Sequence, residues 1–445
     1  MKKIIIIGAG LGGLTAGALL SKEGYAVTIL EQHYAVGGSA TTFKRKGGFT
    51  CEVGLHETNA VTVSKKIFEA LNVYSNVEFV RPDEFFKVTG NSIDFTMPDD
   101  IEKAIATLCE KYPAEEKGIK EYFRLIKNIA VEYDKLSSAP KWKLMLFPLF
   151  FKHIVKYRTA SVKEVMDGLM EDETLKLILN TNIAYYTDTI KDFSFLFHSA
   201  AQHAYYKGGG WYIKGGSQKL SDYLASIIKE NGGEIITSAE VKKINHSSKK
   251  CTSITYMNKK EEIELSTDIV ISNLAPSSTY QLADVSYTEE KKTASSLLTI
   301  YIGFKNNLKS LYGKRAYSTF LLRDVKSMDD YDKNIQGDVV NRGIVFVDYS
   351  QIDSGLTDES KSFGAICTTD YLLDWKDLSE EEYKQKKEDV LQSYLALLET
   401  EYPNIKEHIE FAEVGTPKTI QRYIKTPTIW MCNSSCPFYI IWFYR

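Results

Sequence analysis

Three glycines near the N-terminus constrain the fold of this chain more than any other feature. An uncharged β-branched run, Ile4 to Ile7, leads into Gly8-Ala9-Gly10-Leu11-Gly12-Gly13. A helix-forming stretch of Ala and Leu follows as far as Lys22–Gly24, and then a second apolar run, Ala26-Val27-Thr28-Ile29-Leu30, closed by Glu31. Strand, glycine turn, helix and strand in this order predict one parallel βαβ unit. Gly8 permits the tight turn out of the strand. Gly10 lacks the Cβ that would keep a pyrophosphate from the backbone, and Gly13 lets the helix lie close to the sheet. The helix start presents unpaired N–H groups and the positive end of its dipole to phosphates. Glu31, 18 residues after Gly13, falls where a carboxylate accepts hydrogen bonds from ribose hydroxyls. Gly8, Gly10, Gly12, Gly13 and Glu31 are therefore expected to form a dinucleotide site. Two lysines before an apolar run also resemble a signal peptide or a membrane span, but the glycine turn and the second strand argue against both.

Composition narrows the rest. The 445 residues suffice for two large folding units. With 44% hydrophobic and 25% charged residues, disorder and fibrous repeats are excluded. A formal charge of −3 gives no basic surplus, so no nucleic-acid partner is expected. Cys51, Cys109, Cys251 and Cys367 are isolated and suit a reducing, cytoplasmic compartment. Cys432 and Cys436 are followed by no further His or Cys, so no metal site is expected. The 28 Tyr and 21 Phe supply core filler, and they are also what a long apolar ligand channel would use.

Glu31 alone suits NAD or FAD, and the continuation separates them. Gly37-Gly38-Ser39 begins six residues after the acid, and Gly48-Phe49-Thr50-Cys51-Glu52-Val53-Gly54 follows. A second glycine turn this close lets the chain pass beside the cofactor without side-chain obstruction. Here the sequence resembles the flavoprotein superfamily of amine oxidases and carotenoid desaturases. Within it, the likeness is to the branch of bacterial phytoene desaturase, carotenoid isomerase and retinol saturase. The same likeness runs through Gly208-Gly209-Gly210-Trp211-Tyr212-Ile213-Lys214-Gly215-Gly216-Ser217, Gly232-Gly233-Glu234-Ile235, Ala239-Glu240-Val241, Thr267 to Asn273 and Asp348 to Asp353. It covers residues 1 to about 425.

The resemblance implies an α/β fold, a Rossmann-like FAD-binding domain with an inserted α+β substrate domain of mixed sheet and helices. It implies FAD as cofactor, flanked by Gly37, Gly38 and Ser39, with the Val241 backbone at the adenine. The sequence departs from the family at Ser39, where Arg is common, at Glu52, where Asp is usual, and at Ile213, which replaces a proline. The tail from Thr428 to Arg445 is aromatic and contains no glycine where the family has a glycine-rich flavin segment. A frameshifted or truncated reading frame is expected there, the alternative being a divergent end packed as a strand.

The expected nucleotide-binding pieces are 1–85, 195–285 and 405–445, and the substrate domain is 86–194 with 286–404. Within the latter, Asp99 to Leu136 and Glu380 to Tyr402 read as helices, and Thr299 to Phe304 and Gly343 to Val347 as strands. Segment 142–157 carries Leu144-Met145-Leu146-Phe147-Pro148-Leu149-Phe150-Phe151, too short to span a bilayer. Lys141, Lys143, Lys152, Lys156 and Arg158 flank it, which suits either an interfacial element peripheral on the membrane or a core helix with solvated lysines.

No GxSxG, HExxH or Walker A motif occurs. His56 is the one catalytic candidate, with a structural hydrogen-bonding role as its alternative; His198 and His203 read as packing residues. Tyr205 and Trp211, with Gly215 and Gly216, are candidates to line an apolar substrate tunnel. No second dinucleotide fingerprint is present, so electrons would pass to or from oxygen, a quinone or a soluble donor. The expected function is an FAD-dependent oxidoreductase acting on C–C bonds of a polyene or isoprenoid lipid. A flavin amine oxidase and a non-enzymatic isoprenoid-binding protein on the same scaffold, like the Rab GDP-dissociation inhibitors, stay open beside it.

Overall fold

The βαβ unit forms as the glycine pattern predicts. In the computed structural model, which describes residues 2–136, 139–247, 250–287 and 295–425, strand Lys3–Ile7 lies between Ala26–Leu30 and Ile269–Ser272. Glu234–Ile236 completes a four-stranded, all-parallel sheet. Both faces of this sheet are covered, which is why Ile4 to Ile7 read as a continuous apolar run. Ile4 and Ile6 pack with the helices Leu11–Lys22 and Gln218–Glu230. Ile5 and Ile7 point the other way, onto Ile244, Ile254 and Tyr256 of a three-stranded antiparallel sheet spanning Ala239–Ser247, Lys250–Asn258 and Glu261–Ser266.

The second layer is a seven-stranded mixed sheet. Its order is Ile409–Gly415, Ser296–Phe304, Ser362–Asp370, Ile344–Asp348, Ser318–Leu321, Phe86–Gly90 and Ile93–Met97. Only the pairing of Ser318–Leu321 with Phe86–Gly90 is parallel. Alternation along its strands separates two cores. Val345, Val347, Ala365 and Cys367 face the helices Glu116–Leu136, Val162–Leu169, Glu173–Asn180 and Phe195–Gly208. Ile344, Phe346 and Ile366 face the opposite side, against helix Glu380–Leu398.

The division read from sequence places residues 195–208 and 409–415 with the nucleotide-binding pieces, and their contacts lie with the second layer. Helix Phe195–Gly208 packs on Glu116–Leu136, where the Tyr122 hydroxyl meets His198 Nε2 at 3.0 Å and the Phe123 and Tyr206 rings lie 5.3 Å apart. Strand Ile409–Gly415 forms the edge of the seven-stranded sheet, paired with Ser296–Phe304. The apolar period of an element shows that one face is buried but not which neighbour buries it.

Segment 142–157 folds as three short helices, Lys141–Met145, Phe147–Phe150 and Lys152–Tyr157. Phe151 and Ile154 anchor it in the core. Glu132 accepts from the His153 and Ile154 amides at 3.0 Å each. The remainder stands out from the surface, with Met145 84% and Leu149 74% exposed beside Trp142, Leu144, Leu146 and Phe150. Among the described residues no helix is long and apolar enough to cross a membrane. Helix Pro417–Ile424 returns to the first layer, where Gln32 donates to the Tyr423 carbonyl at 3.1 Å. The expectation for 428–445, and the Cys432 and Cys436 pair, lie outside the described residues.

Candidate active site

The glycine turn is held from inside by its own backbone. Gly8 has φ +93° and donates its amide to the Leu30 carbonyl at 2.9 Å. A Cβ on Gly13 would overlap the Gly8 carbonyl oxygen, so only glycine lets the helix start this close to the strand. The doublet crosses the mouth of the turn. Gly37 bridges to Gly10 and donates to the Ala9 carbonyl at 2.8 Å, and a Cβ on Gly38 would stand 3.3 Å from Gly10 Cα. Ser39 lies in the tight turn closed by the Ala40 amide on the Gly37 carbonyl.

Glu31 is buried, with Oε2 accepting from the Ala9 amide at 2.7 Å and Oε1 from the His33 amide at 2.8 Å. A carboxylate has about four lone-pair sites, so two stay available for hydroxyl donors. The Glu31 carbonyl accepts from the Ala239 amide at 2.8 Å, which starts the strand carrying Val241, and the ladder slips just after Val241. Asn273, at the end of the neighbouring strand, lies over the turn: a Cβ on Gly12 would be 2.6 Å from its Oδ1 and one on Gly10 3.0 Å from its Nδ2. The open backbone, the free helix start and the half-used carboxylate fit the phosphate and ribose of a dinucleotide. Asn273 had no signal in the sequence beyond its place at a strand end.

A second set of side chains joins this layer to the seven-stranded sheet. Glu52, at the end of strand Phe49–Glu52, is completely buried. It accepts from the Ser217 amide at 2.8 Å, the Ser217 hydroxyl at 2.5 Å and the Tyr212 hydroxyl at 3.0 Å. Burial pushes its carboxyl up to about 7 against the pull of these bonds. Gly215 and Gly216 belong to this junction. The Gly215 amide donates to the Ser354 carbonyl at 2.7 Å, and a Cβ on Gly216 would lie 2.5 Å from Thr42 Cγ2, so close chain packing accounts for both glycines.

His56 follows in the next loop with both ring nitrogens engaged. Nδ1 meets the Tyr349 hydroxyl at 2.6 Å and Nε2 meets Cys367 Sγ at 3.2 Å, while the Tyr317 hydroxyl donates to the His56 carbonyl at 2.5 Å. Burial lowers the imidazole to about 4 and raises the Cys367 thiol to about 12, so the pair is neutral at physiological pH. Glu57 comes next, and its carboxyl occupies the space that a Cβ on Gly210 would need. Tyr205 stacks on Phe85 at 5.4 Å. Trp211 exchanges backbone hydrogen bonds with Thr58, and Arg81 lies 5.6 Å over its ring. The site is therefore aromatic, and its acids Glu52 and Glu57 ionise only near and above neutrality. Glu52, Glu57, Tyr349 and Cys367 were not singled out from sequence as site residues, because nothing local marks them. Among the described residues no group of three or more His, Cys, Asp or Glu is placed to hold a metal ion.

This fold and this site define a class. Residues 11–411 match the family described as flavin containing amine oxidoreductase, and the chain belongs to that family. It is an oxidoreductase whose cofactor is FAD. Among curated relatives, it is 26% identical to the all-trans-retinol 13,14-reductase of Danio rerio, over 95% of this chain and 76% of that protein. It is also 26% identical to the chloroplastic prolycopene isomerase of Daucus carota, over 94% of this chain and 70% of the relative. A solved variant of putrescine oxidase superposes with a TM-score of 0.61 at 15% identity, over 97% of this chain and 87% of the other, which establishes likeness of fold.

Proposed function

We propose that the protein desaturates, saturates or isomerises C–C bonds of a retinoid- or carotenoid-like polyene. The observation that carries this reading is the uncharged, largely aromatic cluster around His56 where the two layers meet. A neutral His56, a neutral Cys367 and the hydroxyls of Tyr349 and Tyr317 satisfy one another there, so among the described residues this cluster offers no fixed charge to recognise a charged amine. Relatives named for a retinol and for a lycopene support the same substrate class.

FAD would be held by the turn Gly8, Gly10, Gly12 and Gly13, by Glu31 at the ribose, by Gly37, Gly38 and Ser39 across the mouth, and by the Val241 backbone. When bound, it supplies hydride chemistry. The chain's own contribution is to hold the polyene in register and keep water out, with Tyr205 and Trp211 as candidate walls. The exposed apolar helices of 141–157, ringed by Lys141, Lys143, Lys152, Lys156 and Arg158, would rest on an anionic membrane surface and receive the substrate from it.

The test is to incubate the FAD-loaded protein with phytoene, lycopene isomers, all-trans-retinol and simple amines, with and without a reductant, and to separate the products. Turnover of a polyene is expected; conversion of an amine and of no polyene would overturn the reading. Reversing Lys143, Lys152 and Lys156 to Glu should weaken binding to phosphatidylserine vesicles, by about 1 kcal/mol per lysine removed. Unchanged binding would refute the membrane contact.

A further inference from the structure

The turn between helix Leu308–Tyr312 and strand Ser318–Leu321 walls an open cleft of about 380 Å³. Its other walls come from strands Phe86–Gly90 and Ile93–Met97 and from the turn after helix Glu380–Leu398. This cleft is separate from the cluster around His56. Thr319, in its wall, is in register with Phe346, and the Tyr402 ring packs 5.3 Å from the Phe346 ring. Phe346 lies on the face of the seven-stranded sheet opposite Val345 and Cys367. Cys367 is the residue that meets His56, so the cleft opens on the side turned away from it.

Three cations and three acids line the cleft, and most of them satisfy one another. Lys87 holds Glu401 at 3.0 Å and Asp94 at 3.3 Å, and the Thr89 hydroxyl donates to Glu401 at 2.8 Å. Lys314 holds Asp83 at 2.5 Å. Two groups of opposite sign are left over. Arg315 stands 4.8 Å over the Tyr402 ring and 5.8 Å from the Tyr312 ring, which occupy the guanidinium with aromatic faces rather than acceptors. Among the described residues the guanidinium donates no hydrogen bond: Nε is buried without a partner, and Glu401 stands off at 3.7 Å. Glu84 accepts one hydrogen bond among the described residues, from the Tyr317 amide at 2.8 Å, and has a second oxygen to offer.

The geometry points to a second ligand site in this cleft, for a small zwitterion that carries a carboxylate and an ammonium group, such as a free amino acid. The carboxylate would take the two-pronged edge of Arg315, and the ammonium would donate to Glu84. Tyr312 and Tyr402 would flank the ligand's apolar part. A polyene does not suit walls that are charged on three sides. A phosphate or another multiply charged anion does not suit them either, because Glu84, Asp94 and Glu401 repel it. A ligand without net charge matches a cleft whose own charges balance. The site is independent of the reaction proposed above and of its substrate.

The test titrates the FAD-loaded protein by calorimetry with four probes: L-phenylalanine, γ-aminobutyrate, phenylpropionate and phenethylamine. Burial raises the Glu84 carboxyl, so the titrations are run at about pH 8, where the ionised form that receives an ammonium is favoured. At least one of the two amino acids should bind, and about tenfold or more tightly than phenylpropionate or phenethylamine, each of which keeps one of its two charges. R315Q should remove the advantage over the amine. E84Q, whose carbonyl can still accept from the Tyr317 amide, should remove the advantage over the acid. No heat from either amino acid at about 10 mM, equal binding of a singly charged probe, or amino-acid binding unchanged in both variants overturns the site. Bleaching of the flavin by an amino acid would place that ligand at the flavin and overturn the assignment to the cleft. Should a variant fail to fold, the comparison of the four probes on the wild-type protein decides.

Discussion

The buried acid at Glu52 makes a prediction whose size and sign follow from the structure. Its carboxyl is raised from an ordinary value of 4.5 to about 7 because burial outweighs the bonds from Ser217 and Tyr212. Below pH 4.5 the folded and unfolded chains both hold the proton, and Glu52 contributes no pH dependence. As pH climbs, the unfolded chain ionises first, so folding loses stability until the folded group also ionises near 7. The loss then levels off at about 3 kcal/mol, from 1.36 kcal/mol for each unit of pKa difference. Glu52→Gln cannot titrate. Its carbonyl can still accept from the Ser217 amide and Tyr212, while its NH2 donates to the Ser217 hydroxyl. A chain of this length unfolds with an entropy on the order of 0.9 kcal/mol per kelvin, so the 3 kcal/mol corresponds to about 3 °C in Tm. Thermal unfolding of both proteins from pH 4.5 to 8.5 should show the variant gaining about 3 °C on wild type across that range. Other titrating groups are common to both proteins and cancel in the difference. A difference that stays constant with pH, or one that moves in favour of wild type, would mean that Glu52 is ionised and held by its three donors, and the reasoning would fail.

Gly13→Ala forces a methyl group onto the Gly8 carbonyl. Overpacking of this kind costs about 1–3 kcal/mol, so affinity for FAD should fall by roughly five- to a hundredfold, read from flavin absorbance after reconstitution and dialysis. Tyr349→Phe leaves His56 Nδ1 buried without its partner, which should cost about 1–3 kcal/mol in denaturant unfolding; an unchanged midpoint would show that the contact carries no weight. Arg342 is buried with its guanidinium on Asp370 at 3.0 Å and on the Thr369 and Gly337 carbonyls. Arg342→Met strands the Asp370 carboxylate and should destabilise the seven-stranded layer by about 3–5 kcal/mol, whereas the double change with Asp370→Asn should recover part of that loss.

Several elements could be read in advance because their cause is local. Helices Ile101–Lys111, Glu116–Leu136 and Glu380–Leu398 carry apolar stripes at helical spacing, and the last begins with a Ser379–Glu382 capping box. Strands Ser296–Phe304 and Ile344–Asp348 read as apolar runs. Their partners could not be read, since a strand shows a buried face without naming the strand beside it. Ile409–Gly415 is the clearest case: its short run suits either layer, and only pairing with Ser296–Phe304 assigns it. Segment 142–157 was ambiguous for a related reason. Lysines around apolar bulk suit a core helix as well as an exposed one, and the anchoring by Phe151, Ile154 and Glu132 leaves the rest outside.

The glycine turn and its acid, the proposed dinucleotide end of the site, could be read from sequence alone, because their requirements fall within about forty residues. A tight turn at Gly8, a helix start pressed onto it at Gly13, and an acid at the close of the next strand admit few other residues or spacings. The aromatic cluster around His56 was decided by tertiary structure. His56 meets Tyr349 across 293 positions and Cys367 across 311, and Glu57 finds its seat only because a glycine far along the chain leaves room for it. Those residues are ordinary in their own neighbourhoods; their pKa values and pairings arise from burial, and burial is a property of the assembled layers.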